Sequence, residues 1–210
     1  MTEQQWFQAA DPRPMLEYLR GKASDRKLRL FACAYCRAVR DIQHLSPGSA
    51  VTVAERYADG LASDQDLASE RRRWACSPEE RGPVAPSAYD GAWEAVDWLT
   101  ILERWRDDPD SYITVPADAV LKRSVLLLRD IFGNPFRPTA VDPAWLAWNA
   151  GIIVSLAQAF YDDRAFDQLP ILADALEEGG CTNAEILAHC REPGEHARGC
   201  GVVDPLLGKE

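Results

Sequence analysis

The chain has 210 residues, of which 47% are hydrophobic, and it carries a formal net charge of −10 at pH 7. This length and composition indicate a globular protein with one domain or two small ones. No apolar run approaches the roughly 18 residues that a membrane-spanning helix needs, which excludes a transmembrane protein. The first residues lack the basic and apolar regions of a signal peptide, so a cytoplasmic location is expected. Six cysteines in such a chain indicate thiols or metal ligands rather than disulfides.

Helices separated by Pro, Gly and Ser are predicted in the first third of the chain. Pro14 begins a short helix that stops at Gly21. Ser24 then caps a longer helix, in which apolar residues recur every three or four positions as in a buried, central helix. Shorter helices follow at residues 50–59 and after Ser63. Trp6 precedes all of them, and we expect it to be an exposed anchor near a mobile N-terminus.

Two loops rich in helix-breaking residues are predicted in the middle of the chain, at 77–87 and 107–116. Between them, residues 88–105 have the apolar and aromatic spacing of a buried helix. Pro116 begins the next helix, which Gly133 closes. The first loop is also the best candidate for a domain boundary.

The last third is predicted to contain three more helices. An Asp-Pro pair begins one at 142–161, which the sequence predicts to be uninterrupted, and a second follows at 166–178. Thr182 and Glu185 have the spacing of a capping box, which predicts Thr182 as the N-cap of the last helix. The only weak strand candidates in the sequence are 112–115 and 202–203.

These patterns predict an all-α fold, an irregular multi-helix bundle of about eight or nine helices. The predicted organisation is a helical domain over residues 1–180, with a subdivision at the 77–87 loop. Residues 181–210 form a Cys- and His-containing C-terminal element that packs on this domain.

The densest chemistry lies in that C-terminal element, which has the pattern Cys-x7-His-Cys-x5-His-x3-Cys. Thiolates and imidazoles crowded this closely are what a tetrahedral zinc site requires, although the spacing matches no standard zinc finger. Zinc is therefore the one cofactor that the sequence suggests. Three or four ligands are expected from the five candidate residues, which are Cys181, His189, Cys190, His196 and Cys200.

Two other interpretations of the same residues remain open. The cysteines can be small buried hydrophobic residues and the histidines surface or capping residues, with no metal bound. Alternatively the tail has a disulfide or redox role, for example between Cys181 and Cys200. Cys33 and Cys36 form a Cys-x2-Cys pair in the middle of a predicted helix, which favours core packing over redox chemistry.

The charge is unevenly distributed along the chain. Residues 12–40 contain eight basic and two acidic residues, a net charge of +6, which leaves −16 on the remainder. The basic segment either packs against the acidic remainder of the same chain or presents a basic face to a partner. The candidate binding residues of that face are Arg13, Arg20, Lys22, Arg26, Lys27, Arg29, Arg37 and Arg40.

Several strings resemble a large paralogous family of planctomycete (Gemmata-type) bacterial proteins. They include DPRPMLEYLRGKASDRKLRLFACAYCR, LLRDIFGNPFRP and the tail ILAHCREPGEHARGCGVVDPLLGKE. The resemblance implies a bacterial, intracellular protein and a module copied many times, which favours recognition or scaffolding. It implies no particular reaction, ligand or fold. The chain departs from the family pattern at Gly201, where a tryptophan is common, and at Pro205.

The sequence leads to three hypotheses about function. No Ser-His-Asp pattern, phosphate-binding loop or metallohydrolase motif is present, which favours a non-enzymatic helical module that binds a protein partner. The second hypothesis is a nucleic-acid-associated accessory protein, in defence or regulation, that uses the basic segment 12–40. The third is a metal-dependent enzyme at the C-terminal Cys/His cluster, with one metal position left open for water.

Overall fold

A computed structural model of the chain describes residues 1–42, 48–75, 81–105 and 117–209. Every regular element in these ranges is helical, so the predicted all-α class is confirmed. Nine of the helices in these ranges have seven or more residues, in agreement with the predicted eight or nine. None of the described helices is both long enough and apolar enough to cross a membrane.

The α-helices are numbered here in chain order. They are α1 (Glu3–Gln8), α2 (Pro12–Leu19), α3 (Asp25–Ile42), α4 (Ser49–Ala58), α5 (Asp64–Arg73), α6 (Ala88–Trp105), α7 (Ala117–Phe132), α8 (Pro143–Ala147), α9 (Ile152–Asp163), α10 (Leu169–Glu178), α11 (Ala184–Arg191) and α12 (Val203–Leu206). Short 3-10 turns at Gly82–Val84, Trp148–Gly151 and Phe166–Gln168 connect some of them.

Several local predictions need correction. Trp6 is fully buried on α1, a helix that the sequence analysis missed and that a Thr2 capping box with Gln5 begins. The strand candidate at 202–203 is wrong, because Val203 begins α12. The other strand candidate, at 112–115, lies outside the described residues, as does the whole of the predicted 107–116 loop.

The predicted helix over 142–161 is broken in the middle. Asn149, Ala150 and Gly151 have φ angles of 46°, 57° and 80°, so three successive residues are left-handed. Glycine accepts this backbone without strain and asparagine tolerates it, but at Ala150 it costs about 1–2 kcal/mol. The apolar spacing continues through the break, which is why the sequence pattern did not reveal it.

The chain divides into two compact units, Met1–Leu128 and Arg129–Glu210, and the division falls inside α7. In the first unit α3 is central, as predicted, because it packs against both α4 and α6. Phe31 and Tyr35 on α3 are almost fully buried, and so are the thiols of Cys33 and Cys36. The predicted boundaries at 77–87 and 180/181 stay predictions.

The second unit has its own hydrophobic core, to which the C-terminal tail contributes. Ile153, Phe160 and Tyr161 of α9 pack with Leu169 and Leu172 at the start of α10. The tail residues buried in the same core are Cys181, Ile186, Cys190, Cys200, Val202, Val203 and Leu206. Burial of this much apolar surface holds the tail against α9 and α10.

Candidate metal centre

Asp130 lies in the last turn of α7 and is 4% exposed. Its Oδ2 accepts a hydrogen bond from the backbone N–H of Ala197 at 2.9 Å. Its backbone carbonyl accepts a second from the N–H of Gly201 at 2.6 Å. Two separate points of the tail are therefore bound to one residue of α7, and the carboxylate is held in a fixed orientation.

His189 lies in the last turn of α11, just before that helix ends at Arg191. Asn183, not the predicted Thr182, is the N-cap of α11, and its side chain accepts hydrogen bonds from the N–H groups of Glu185 and Ile186. Adjacent residues of a helix point about 100° apart. Cys190 accordingly enters the hydrophobic core while His189 faces Asp130.

His196 and Cys200 lie in the irregular segment between α11 and α12. Cys200 is completely buried, and the side chain of His196 is 10% exposed. Gly201 follows directly, in a position where a Cβ atom would lie 3.2 Å from the carbonyl oxygen of Asp130 and 3.3 Å from the nitrogen of Gly133. The backbone can approach α7 this closely because residue 201 has no side chain.

The side chains of four residues converge, namely Asp130, His189, His196 and Cys200. Each offers one atom that could bind a metal ion, and these four atoms all lie within 4.8 Å of one another. His196 Nδ1 is 2.7 Å from Asp130 Oδ1, and His189 Nε2 is 3.3 Å from the same oxygen. His189 Nε2 is also 3.0 Å from Cys200 Sγ. The two imidazole rings meet nearly edge to face, with centroids 4.9 Å apart.

A buried Asp/His/His/Cys group of this kind can hold a metal ion. Zinc bonds of about 2.0–2.3 Å, arranged tetrahedrally, separate the ligand atoms by about 3.3–3.6 Å. The distance of 3.3 Å lies in this range, whereas those of 2.7 and 3.0 Å are hydrogen-bond lengths that would have to lengthen. Small side-chain movements would therefore bring one carboxylate oxygen, two ring nitrogens and one sulfur around an ion.

The electrostatics of the group follow from its burial and from the Asp130 carboxylate. Burial by itself raises the pKa of Asp130, but hydrogen bonds from His189 and His196 outweigh it and lower that pKa below its ordinary value. Burial likewise lowers the pKa of His196, but its hydrogen bonds to Asp130 and Cys200 outweigh burial and raise the pKa to about 9. Without a metal, His196 is therefore a cation at neutral pH, paired with the Asp130 anion.

Cys200 is a neutral thiol in the same ion-free group. Burial and then the charge of Asp130 raise its pKa to about 11. A cysteine binds a metal ion as the thiolate, and a histidine binds it as the neutral imidazole. An ion that binds here therefore displaces protons from Cys200 and His196. The charge of the ion then takes the place of those protons beside Asp130.

The structure brings together three of the five predicted metal ligands, His189, His196 and Cys200. Cys181 and Cys190 are not in the group of four; each is 1% exposed, and both pack in the hydrophobic core of the second unit. Burial raises the pKa of Cys190 to about 12, so it is a neutral thiol within this core. Both cysteines and Cys200 are free thiols.

Asp130 is the ligand candidate that the sequence analysis missed, because it lies 59 residues before His189 in the chain. One sequence signal marks it. Asp130 interrupts the apolar run VLLLRDIF, and Leu128 and Ile131 beside it are fully buried. A carboxylate in a buried stripe needs a charged or hydrogen-bonding partner, and the histidines of the tail are suitable partners.

At least four of the eight candidate basic residues of the first unit are engaged within the chain. Arg26 lies 3.0 Å from Asp59, and Arg37 lies 2.8 Å from Glu55, in two ion pairs whose carboxylates are nearly inaccessible. Arg13 pairs with the residue that caps α2. These contacts match the interpretation in which the basic segment packs against acidic residues of the same chain.

Arg29 is the most deeply buried of the eight, at 5% exposure. Its guanidinium donates to the carbonyl oxygens of Pro83 and Ala85 at 2.8 and 3.0 Å. It therefore ties α3 to the 3-10 turn before α6 and is not available to a partner. The remaining candidates, which are exposed or half-buried, are Arg20, Lys22, Lys27 and Arg40.

Comparison of the chain with protein-family models, with curated proteins and with solved structures found no match. The function is therefore inferred from the four converging side chains of the second unit and from the surface charges of the first.

Proposed function

We propose that this chain is a non-enzymatic helical interaction module whose C-terminal unit is stabilised by zinc bound to Asp130, His189, His196 and Cys200. The single observation that carries the proposal is the convergence of four donor atoms within 4.8 Å, from side chains that are buried or half-buried. Two imidazoles, one thiolate and one carboxylate form a set that suits zinc better than Mg²⁺ or Ca²⁺, which prefer oxygen ligands.

The number of protein ligands favours a structural ion over a catalytic one. Catalytic zinc has three protein ligands and keeps a fourth position for water or substrate, whereas a structural site is filled by the protein. Four side chains of this chain meet here, and Asp130 and Cys200 are buried. The metal-enzyme hypothesis therefore has less support than the structural one.

The role of the zinc would be to fasten the tail. Asp130 belongs to α7, His189 to α11, and His196 and Cys200 to the segment before α12, so one ion would join three separate parts of the unit. The family resemblance supports a module used for recognition of proteins in a bacterial cytoplasm. The nucleic-acid hypothesis is less favoured, because Arg26, Arg29 and Arg37 are engaged within the chain.

Elemental analysis of untagged protein, purified without chelator, tests the zinc assignment. We expect one zinc per chain, lost in Cys200→Ser and retained in Cys181→Ala, which alters a buried cysteine outside the group of four. Absence of metal from the native protein, or equal zinc content in the two variants, would contradict the site.

The interaction role needs a separate measurement. Zinc-loaded protein cross-linked in a planctomycete host should capture the same protein partner in repeated experiments, and a charge-matched unrelated helical protein should not. Turnover of added substrates that disappears with zinc would instead support the enzyme hypothesis.

A further inference from the structure

We propose that a groove on the first unit, beside the C-terminal end of α2, binds an acidic peptide segment of the protein partner. The groove has a volume of about 710 Å³ and is lined by residues of α1, of α2 and of the turn after α2, including Tyr18, Arg20 and Lys22. This inference rests on the proposed function, because it gives the interaction module a surface and its partner a chemistry.

Arg20 and Lys22 differ from the other cations of the basic segment. Arg26 and Arg37 have carboxylate partners, and Arg29 is buried against backbone carbonyls. Arg20 and Lys22 are both exposed, and within the part of the chain that the structure describes no carboxylate pairs with either. Their positive charges are thus not neutralised by the acidic residues that the structure describes.

Both cations are positioned by aromatic rings rather than by acids. Lys22 Nζ lies 3.4 Å from the centroid of the Tyr18 ring. The guanidinium carbon of Arg20 lies 5.2 Å from the centroid of the Tyr89 ring. A cation–π contact restricts a long side chain without neutralising its charge. A carboxylate that binds here therefore meets ordered cations, which lowers the entropy lost on binding.

The charge of the groove selects the partner. The described residues that line it include two cations, Arg20 and Lys22, and a single acid, Glu17. The electrostatic potential of the groove therefore favours an anion. Arg20 can bind a carboxylate through two parallel N–H···O bonds, and Lys22 supplies a second charge a short distance away. Two spaced carboxylates of an extended peptide match this arrangement, and the Tyr18 ring offers apolar contact to the side chain between them.

A peptide fits better than a nucleic acid. The affinity of proteins for nucleic acids comes largely from neutralising several phosphates with Lys and Arg side chains, whereas this groove offers two cations. Residues outside the basic segment carry a net charge of −16, which repels a long polyanion more strongly than a short peptide. The volume of about 710 Å³ also matches a few peptide side chains rather than a strand of nucleotides.

Selection from a phage-displayed library of short random peptides tests the groove, with three zinc-loaded proteins as targets. They are the native chain, the double variant R20Q/K22Q and the control R72Q/R73Q. The control removes two charges from the exposed end of α5, so it matches the loss of net charge at another surface. Urea unfolding of all three shows whether the first unit, which contains the substitutions, remains folded.

We expect peptides selected on the native chain to be enriched in Asp and Glu. Their affinity should fall at least about tenfold for R20Q/K22Q, which corresponds to about 1.4 kcal/mol, and should change little for R72Q/R73Q. Selected peptides without acidic enrichment, equal affinity for R20Q/K22Q, or tighter binding of a single-stranded oligonucleotide would each overturn the assignment.

The same data separate this inference from the proposed function. If the partner captured in the host binds R20Q/K22Q as well as it binds the native chain, the groove is not the binding site, and the proposed interaction function is retained. If no partner is captured and no peptide is selected, the interaction role itself fails.

Discussion

Asp130 and His196, 66 residues apart in the chain, meet with 2.7 Å between Oδ1 and Nδ1. The other oxygen of the same carboxylate accepts the N–H of Ala197 at 2.9 Å. A single buried side chain thus fixes both the ring of His196 and the backbone that follows it. Without an ion, this pairing joins α7 to the tail.

Asp130→Asn should therefore weaken both the fold and the metal site. Asparagine keeps the size of the side chain but removes the negative charge, which leaves a buried imidazolium without its partner. Breaking a buried charge pair in this way costs about 3–5 kcal/mol. Urea unfolding of the metal-free protein should show such a loss for the second unit, and zinc affinity should fall at least about 100-fold.

The matched control for that variant is Asp167→Asn, which changes an exposed acid in the 3-10 turn before α10. Its free energy of unfolding and zinc affinity should stay close to those of the native chain, because exposed charges contribute little. Equal stability of the two variants would mean that Asp130 does not hold the tail.

The sequence predicted the helices well because their apolar spacing and caps are local features. It also predicted a cluster of Cys and His residues in the tail, and three of the four converging residues come from it. Asp130 was missed because its role depends on a contact across dozens of residues, which spacing does not encode. The kink at Ala150 was missed for a related reason, since only tertiary packing holds an alanine in a left-handed backbone.

The sequence offered packing of the basic segment within the chain as one interpretation, but it did not show which of its cations are buried. Arg26 and Arg29 lie three residues apart on α3, yet Arg29 is bound to the carbonyl oxygens of Pro83 and Ala85 while Arg26 pairs with Asp59. Long cationic side chains adapt to either environment, so composition gave the excess charge but not the positions where it is exposed.

Zinc binding should release about two protons per ion at neutral pH. The pKa of His196 is raised to about 9 and that of Cys200 to about 11, so both are protonated in the metal-free protein and both must lose their protons to the solvent. Zinc titrations by calorimetry, repeated in buffers of different ionisation enthalpy, measure this number directly. Release of no protons would contradict ligation by these two groups.

Stability of the metal-free second unit should decrease as pH rises from about 7 to about 9. The pKa of His196 in the folded chain, about 9, lies above its unfolded value of 6.5, so the folded state binds the proton more tightly. This contribution is fully present below pH 6.5 and is lost as pH rises through the folded pKa. Urea unfolding at a series of pH values, with chelator present, should show the decrease.

The zinc-loaded protein should show the opposite trend over the same range, because fewer protons then compete with the ion for His196 and Cys200. Opposite slopes with and without zinc are therefore the expected signature of the site. Identical slopes under the two conditions would show that zinc does not bind these groups.

Gly201→Ala should destabilise the contact between the backbone of the tail and Asp130 of α7. A Cβ at this position would lie 3.2 Å from the carbonyl oxygen of Asp130 and 3.3 Å from the backbone nitrogen of Gly133. Neither of these backbone atoms can rotate away, so the tail must withdraw and lengthen the 2.6 Å hydrogen bond from residue 201 to Asp130. Overpacking of this kind costs about 1–3 kcal/mol, and zinc affinity should fall with it.

Gly194→Ala provides the comparison for Gly201→Ala within the same irregular segment. The nearest atoms to a Cβ at residue 194 are 3.6 and 3.9 Å away, which is ordinary contact, so the free energy of unfolding should change little or rise slightly as the unfolded chain loses entropy. Urea unfolding and zinc titration of both variants measure the difference. If Gly201→Ala were as stable as Gly194→Ala, the close approach of the tail to α7 would not hold the four side chains together.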